Sequence, residues 1–329
     1  MDAVMEDKQM PRPIILDVDA GVDDALAILL ALASPEVEVV GITTVSGNAH
    51  VDKCTENVLR ILSFVDAGKR PRVYKGESAP LVKELYTAAA VHGEDGLGDL
   101  GDDYYPDLDS GLVSGRGAVE AMAEIVSGRA GEVTIVATGP VTNVARAIQD
   151  YPQEISKVRE MVVMGGAVDE AGNIEPLYAA EFNTYVDPEA LEVLLESGIR
   201  TTLVPTDATH GIPLMRSAAR EWFVERGGRA GRFAYDCCQV FMEFTLEHDG
   251  FDGAYMHDPM ATAVVIDPTL MTAAPRRLHV ETREGLTRGM TAPYRAPGSE
   301  QSHPNCRVAS RVDGERFLEM LLSRVGGLG

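Results

Sequence analysis

Short apolar runs rich in β-branched residues alternate with alanine- and leucine-rich stretches of helical period along most of this chain, and that alternation admits few folds. Candidate strands are Pro13 to Val18, Val37 to Val45, Arg72 to Tyr74, Val133 to Thr138, Met161 to Met164 and Thr201 to Pro205. Candidate helices are Asp23 to Ala33, Val51 to Ala67, Gly117 to Ser127, Val141 to Asp150, Pro188 to Glu196 and His257 to Ile266. Parallel strands need a crossover, commonly a helix, so the pattern predicts an α/β fold with a mostly parallel, Rossmann-like sheet and helices on both faces. In such folds the active site gathers at the C-terminal ends of the strands. Those ends are polar here: Asp17 and Asp19 after the first, Ser46-Gly47-Asn48 after the second, Thr138-Gly139-Pro140 after the fourth, Gly165-Gly166 after the fifth and Thr206-Asp207 after the sixth.

At 329 residues the chain could hold two domains of ~150 residues, but α/β folds often run this long as one. With no internal repeat and no low-complexity linker, the expectation is a flexible tail at residues 1–12 and a single domain at 13–329. Two stretches break the rhythm and read as insertions at the rim, about residues 75–115 and 207–256. Asp+Glu outnumber Lys+Arg by 51 to 29, a net charge of −22 that would repel a phosphate backbone, so nucleic acid is not an expected partner. The longest apolar run, Ala25 to Ala33, falls well short of the ~20 residues that span a bilayer, so no membrane partner is expected. The N-terminus lacks the basic and apolar regions of a signal peptide, and Cys54, Cys237, Cys238 and Cys306 lack CxxC spacing. Both point to reduced thiols and a cytoplasmic location.

The most informative stretch is DVDAGVDD, Asp17 to Asp24. Asp17 and Asp19 alternate at a strand end and share a face, while Asp23 and Asp24 open a helix whose N-terminus favours negative charge. The four carboxylates are expected close together, where mutual repulsion raises their pKa values or calls for a hard cation such as calcium or magnesium. Taken singly, Asp23 could be a helix cap and Asp17 could bond loop amides. An EF-hand is excluded because Val22 stands at its glycine position and Ile28 at its closing glutamate. A magnesium-dependent phosphatase of the haloacid dehalogenase type is the alternative; it too begins with Asp-x-Asp, but Gly21 stands where it has threonine or valine.

Other constellations are weaker alone. His257-Asp258-Pro259 opens a helix and pairs a titratable ring with a carboxylate, although Asp258 could be a cap. His92 heads the glycine-rich HGEDGLG, which suits a mobile lid or a solvated loop. Asn173, Glu181 and Asn183 offer the mix of donors and acceptors that a hydroxyl-rich ligand needs. No GxSxG elbow, Walker loop or GxGxxG fingerprint occurs.

Taken in order, these motifs resemble a known family, the nucleoside hydrolases, or inosine-uridine preferring nucleoside ribohydrolases. The resemblance covers about Pro13 to Leu322. It rests on DVDAGVDDALA, GITTVSGN at 41–48, HGEDGLG at 92–98, ATGPVTN at 137–143, VMGG at 163–166, AEFNTYVDPEA at 180–190, MHDP at 256–259 and VDGERF at 312–317. Ala20 replaces the proline commonest in the signature. The resemblance implies a calcium ion held by Asp19, Asp24, the Thr138 backbone oxygen and Asp258. It implies ribose contacts from Asp23, Asn48, Asn173, Glu181, Asn183 and Asp258, with His257 and His92 near the base and the lid. Tyr255 is a candidate for lining the base.

The implied activity is hydrolysis of the N-glycosidic bond of purine or pyrimidine ribonucleosides such as inosine and uridine, serving nucleoside salvage. In that chemistry Asp19 accepts a proton from a metal-activated water, the bond breaks through an oxocarbenium-like state, and His257 first, or His92, assists the departing base. A homodimer or homotetramer is implied as well. A non-enzymatic nucleoside sensor is a third reading, disfavoured by the intact Asp19.

Overall fold

Period-two burial on the first strands explains the central sheet. Along β1 (Arg12–Val18), Ile14, Leu16 and Val18 enter one hydrophobic core while Ile15 enters the other. Val136 and Ile135 of β4 (Thr134–Ala137), and Val162 and Val163 of β5 (Glu160–Met164), divide in the same way. A strand buried on both faces reads as continuous apolar sequence, which is why these segments stand out. This geometry comes from a computed structural model that describes residues 10–295 and 303–328. The expected tail falls mostly on residues 1–9, outside the described residues, and Arg12 already belongs to β1.

The remaining strands are β2 (Val37–Thr44), β3 (Val73–Lys75), β6 (Thr201–Val204), β7 (Pro213–Met215), β8 (Gly253–Tyr255), β9 (Met271–Arg276), β10 (Leu278–Val280), β11 (Thr291–Pro293) and β12 (Cys306–Val312). Eight of them form one sheet in the order β3-β2-β1-β4-β5-β6-β12-β9. All neighbours pair in parallel except β9, which runs antiparallel to β12 at the edge. The chain winds outward from β1 to β3, then restarts on the other side of β1 at β4. The crevice beyond the ends of β1 and β4 is therefore the topological switch point.

Helices cover both faces. Val22–Leu32, Arg229–His248, His257–Ile266 and Gly314–Gly326 pack in one core, and Ala118–Gly128, Thr142–Asp150 and Pro188–Glu196 in the other. Five of the six expected helices start and stop within about two residues of their sequence reading. The sixth ends at Leu62 rather than Ala67, because the Arg70 guanidinium donates to Val65 O (2.8 Å) and Ser63 O (3.4 Å) and so closes the terminus. Residues 207–256 are mainly helical, with β7 and β8 pairing antiparallel across their ends. Among the described residues no helix is long and apolar enough to cross a membrane.

Candidate active site

The site begins where β1 ends. Ala20 takes a positive φ of 32°, and the helix Val22–Leu32 starts immediately beyond, with Asp23 and Asp24 in its first turn. Gly21 is required between them: a Cβ there would meet Asn48 Nδ2 at 2.5 Å and His92 Nδ1 at 2.8 Å. A Cβ at Gly47, or at Gly139, would collide with the Asp19 carboxylate, so three loops converge on one side chain.

Four buried carboxylates meet there, though not the expected four. Asp23, Asp24 and Asp258 each offer an oxygen within 4.8 Å of the others. Asp19 joins them, since the charges of Asp24 and Asp23 act on it and that of Asp19 on Asp258. Asp17 stands apart: its Oδ1 accepts from Thr43 Oγ1 (2.7 Å) and Asn143 Nδ2 (2.8 Å), tying β1 to β2 and to the helix Thr142–Asp150. The expectation that Asp17 and Asp19 share a face is corrected because β1 ends at Val18, between them. Nor do the capping readings hold. The helix Val22–Leu32 is capped at Gly21 without a side-chain cap bond, and the helix His257–Ile266 at Met256 likewise, so Asp23 and Asp258 are left to face the cluster.

Burial pushes all of these acids up. Asp17 and Asp23 rise to about 7, and Asp19, Asp24 and Asp258 also rise, with repulsion from neighbouring carboxylates adding to desolvation in Asp19, Asp23 and Asp258 and, as the smallest contribution, in Asp17. Their partners are uncharged donors. Asp19 Oδ2 accepts from Asn48 N (2.7 Å), Asp24 Oδ1 from Thr138 Oγ1 (2.7 Å), and Asp24 Oδ2 from Gly21 N (2.7 Å). Asp19 Oδ1 is buried with no hydrogen-bond partner among the described residues. An orphaned carboxylate oxygen among three further acids fits an oxygen-ligated hard divalent cation. The donor set has room for Thr138 O as well, which accepts from Asn183 Nδ2 at 2.7 Å and keeps a second lone pair.

Of the residues expected to contact a sugar, Asn48 and Asn183 lie against the acids or the Thr138 carbonyl. Asn48 is buried, its Nδ2 3.4 Å from Asp24 Oδ2. Asn183 is buried against Thr138 O and Met164 O. Glu181 caps its own helix, accepting at Oε1 from Asn183 N (2.8 Å) and at Oε2 from Gly166 N (3.0 Å) and Thr184 N (3.1 Å), and burial lifts it to about 7. Asn173 is exposed, and its backbone amide donates to Ala180 O (3.0 Å). Among the described residues no side-chain bond joins Asn173 to the cluster.

The two histidines differ. His92 is buried, accepts at Nδ1 from Val22 N (3.1 Å) and falls to about 4 through burial, so it is a neutral acceptor at the helix N-terminus. Its loop is closed by a net of internal hydrogen bonds. Asp99 accepts from Glu94 N and Asp95 N, Asp95 accepts from Leu97 N and Asp99 N, and Leu97 is fully buried. The glycines at 93, 96, 98 and 101 all have positive φ and serve the turns. His257 is half-buried, its Nδ1 2.6 Å from Thr209 Oγ1 and its ring 5.2 Å from that of His210 and 5.8 Å from that of Tyr255. Thr209 and His210 were missed in the sequence, although they follow the polar end of β6 directly, which is the signal that could have found them.

A family model described as inosine-uridine preferring nucleoside hydrolase matches residues 14–319. A pyrimidine-specific ribonucleoside hydrolase, RihA, of Salmonella gallinarum is 40% identical over 321 residues, covering 96% of this chain and 99% of that one. Among solved structures, a plant nucleoside hydrolase superposes with a TM-score of 0.88 at 33% identity, over 96% of this chain and 99% of its own. A purine-preferring ribonucleoside hydrolase from Gardnerella vaginalis gives 0.87 at 33% identity, over 96% and 99%. These matches extend along nearly the whole chain, and the phosphatase reading falls with them. The chain belongs to the inosine-uridine preferring nucleoside hydrolase family.

Proposed function

We propose that this ribonucleoside hydrolase is calcium-dependent, with Asp19, Asp24, Asp258 and the Thr138 carbonyl as ligands and Asp19 as the general base. The observation that carries the reading is the unpartnered Asp19 Oδ1, buried among the carboxylates of Asp23, Asp24 and Asp258. A hard dication bound there supplies charge compensation for the acids and makes a nearby water more acidic.

The chain's own residues do the rest. Asp23, Asp258, Asn48, Asn183 and Glu181 bind the ribose hydroxyls, and their binding energy favours the oxocarbenium-like geometry. Asp19 Oδ1 takes one proton of the attacking water, whose oxygen bonds to C1′. The C1′–N bond breaks with its electron pair going to the base, and uptake of one proton yields free base and ribose. His257, kept well below the ordinary imidazole range by burial, serves the leaving base as a neutral hydrogen-bond donor. His92 supports the site through Val22 N.

We assign pyrimidine ribonucleosides as the first substrates, since the 40%-identical relative carries a pyrimidine-specific name while the purine-preferring structure is 33% identical. Residues 13–329 form one catalytic unit in this reading, working in cytoplasmic nucleoside salvage as a homodimer or homotetramer. The test is reducing-sugar release over uridine, cytidine, inosine and adenosine, with phosphate esters as controls. Release of sugar from uridine supports the reading. Sugar release from purine nucleosides alone overturns the base assignment.

A further inference from the structure

Thr209 closes the short helix Thr206–Thr209 beyond β6, and its side chain is fully buried. The helix is tied to the end of β5 because Thr206 N donates to Gly166 O at 2.9 Å. His257 opens the helix His257–Ile266, whose next residue is Asp258. Two anchored elements thus hold Thr209 Oγ1 2.6 Å from His257 Nδ1. Buried helical threonines can bond the carbonyl one turn back, as Thr55 does to Val51 O (2.7 Å) and Thr245 to Phe241 O (3.2 Å), or reach another element, as Thr142 does to Asp187 Oδ2 (2.7 Å). Among the described residues the hydroxyl of Thr209 has His257 as its partner.

A neutral imidazole carries one N–H and one lone pair, so a bond at one nitrogen decides what the other can offer. Were Nδ1 the donor, the Thr209 hydroxyl proton would be left buried without an acceptor, which is costly. The opposite direction satisfies both groups and leaves the ring proton on Nε2. We infer that the Thr209 hydroxyl donates to His257 Nδ1 and holds the ring in the Nε2–H tautomer, the form that can give a hydrogen bond to the departing base. Thr209 is in this sense a positioning residue, acting through His257 without touching substrate. The inference rests on the reading that His257 serves the leaving group.

The test uses the calcium-loaded full chain and the variants Thr209→Val, Thr209→Ser and His257→Ala, on uridine, inosine and 4-nitrophenyl riboside, whose leaving group needs no such help. For Thr209→Val we expect kcat on both nucleosides to fall about 10–100-fold with KM little changed, while nitrophenyl riboside turnover stays within about twofold. Thr209→Ser should restore nucleoside turnover. Histidine ¹⁵N NMR should show Nε2–H for His257 in the parent protein and lose that preference in Thr209→Val. Undiminished nucleoside turnover in Thr209→Val, equal losses on all substrates, or an Nδ1–H tautomer in the parent protein would overturn the inference. If His257→Ala discriminates between the substrates and Thr209→Val does not, the inference alone fails. If His257→Ala does not discriminate, the leaving-group reading fails first. Should Thr209→Val not fold, the parent tautomer and Thr209→Ser decide.

Discussion

Replacing Asp19 by Asn separates the chemistry of the site from its architecture. The amide is nearly isosteric, and its oxygen can keep the 2.7 Å bond from Asn48 N. It removes one negative charge from a cluster in which Asp24 and Asp23 both act on Asp19, and it fills the position of the unpartnered Oδ1 with a donor facing carboxylates. Folding of the calcium-free protein should therefore be unharmed or improved. Catalysis should not survive. A general base is typically worth ~10²–10⁴-fold, and the lost ligand charge adds to this, so kcat should fall at least ~10³-fold, equivalent to ~4 kcal/mol of barrier. The assay is ribose release from uridine at saturating calcium, with thermal melts of the calcium-free proteins alongside. Turnover within about tenfold of the parent, with calcium still bound, would refute the base assignment, because that residual rate lies outside the range for loss of such a group.

Glu181 makes a prediction in pH. Burial raises its carboxyl from 4.5 to about 7, so its contribution to stability is full below 4.5 and is lost as pH rises through about 7. The shift corresponds to roughly 3 kcal/mol, and Glu181→Gln should flatten that part of the decline in urea-unfolding stability between about pH 5 and pH 8. The same substitution turns one acceptor oxygen towards backbone N–H groups as an NH₂, costing ~1–3 kcal/mol at low pH; an unchanged pH slope would contradict the assignment. The loop at residues 92–99 should resist proteolysis even without ligand, and Leu97→Ala, which empties a fully buried site, should cost ~2–5 kcal/mol and expose the loop. Rapid cleavage there in the parent chain would restore the mobile-lid reading. Asp17→Ala should destabilise by about 1–3 kcal/mol by leaving one N–H of the Asn143 amide without its acceptor, the Thr43 hydroxyl falling back on Leu16 O, while calcium stoichiometry stays as in the parent; loss of calcium would place Asp17 in the ligand set.

Of the six strands legible in the sequence, β1, β4, β5 and β6 are almost wholly buried and β2 is buried along its C-terminal half; β3, three residues at the sheet edge, was legible only as a short β-branched and aromatic run. β9, MTAAPR, is a half-exposed edge strand containing Pro275, and β7, β8, β10 and β11 have three residues each, too short for any periodicity to register. β12, CRVASRV, carries two arginines in seven residues and was passed over for the same want of an apolar run. In the site, Asp19, Asp23 and Asp24 declare themselves by density. Asp258 stands out locally beside His257, but it lies far along the chain, and a cluster closed by tertiary contact leaves no local pattern, so its place among the acids was legible only through the family resemblance. Asp17 misled because alternation holds only while the strand lasts. The glycines after His92 serve turns of positive φ, a use that a sequence alone does not separate from mobility. The lone amide of Asn173 had no neighbour in the sequence to reveal that it would stay exposed.

The most direct test of the central claim, that this acidic cluster holds a hard cation needed for nucleoside hydrolysis, is the calcium content of the purified chain measured together with uridine hydrolysis, before and after chelation and readdition. About one calcium per chain is expected, in keeping with a single oxygen-ligated site. Activity should be lost with the metal and recovered with calcium. Full activity in metal-free protein, or a chain that binds zinc in place of calcium, would contradict it.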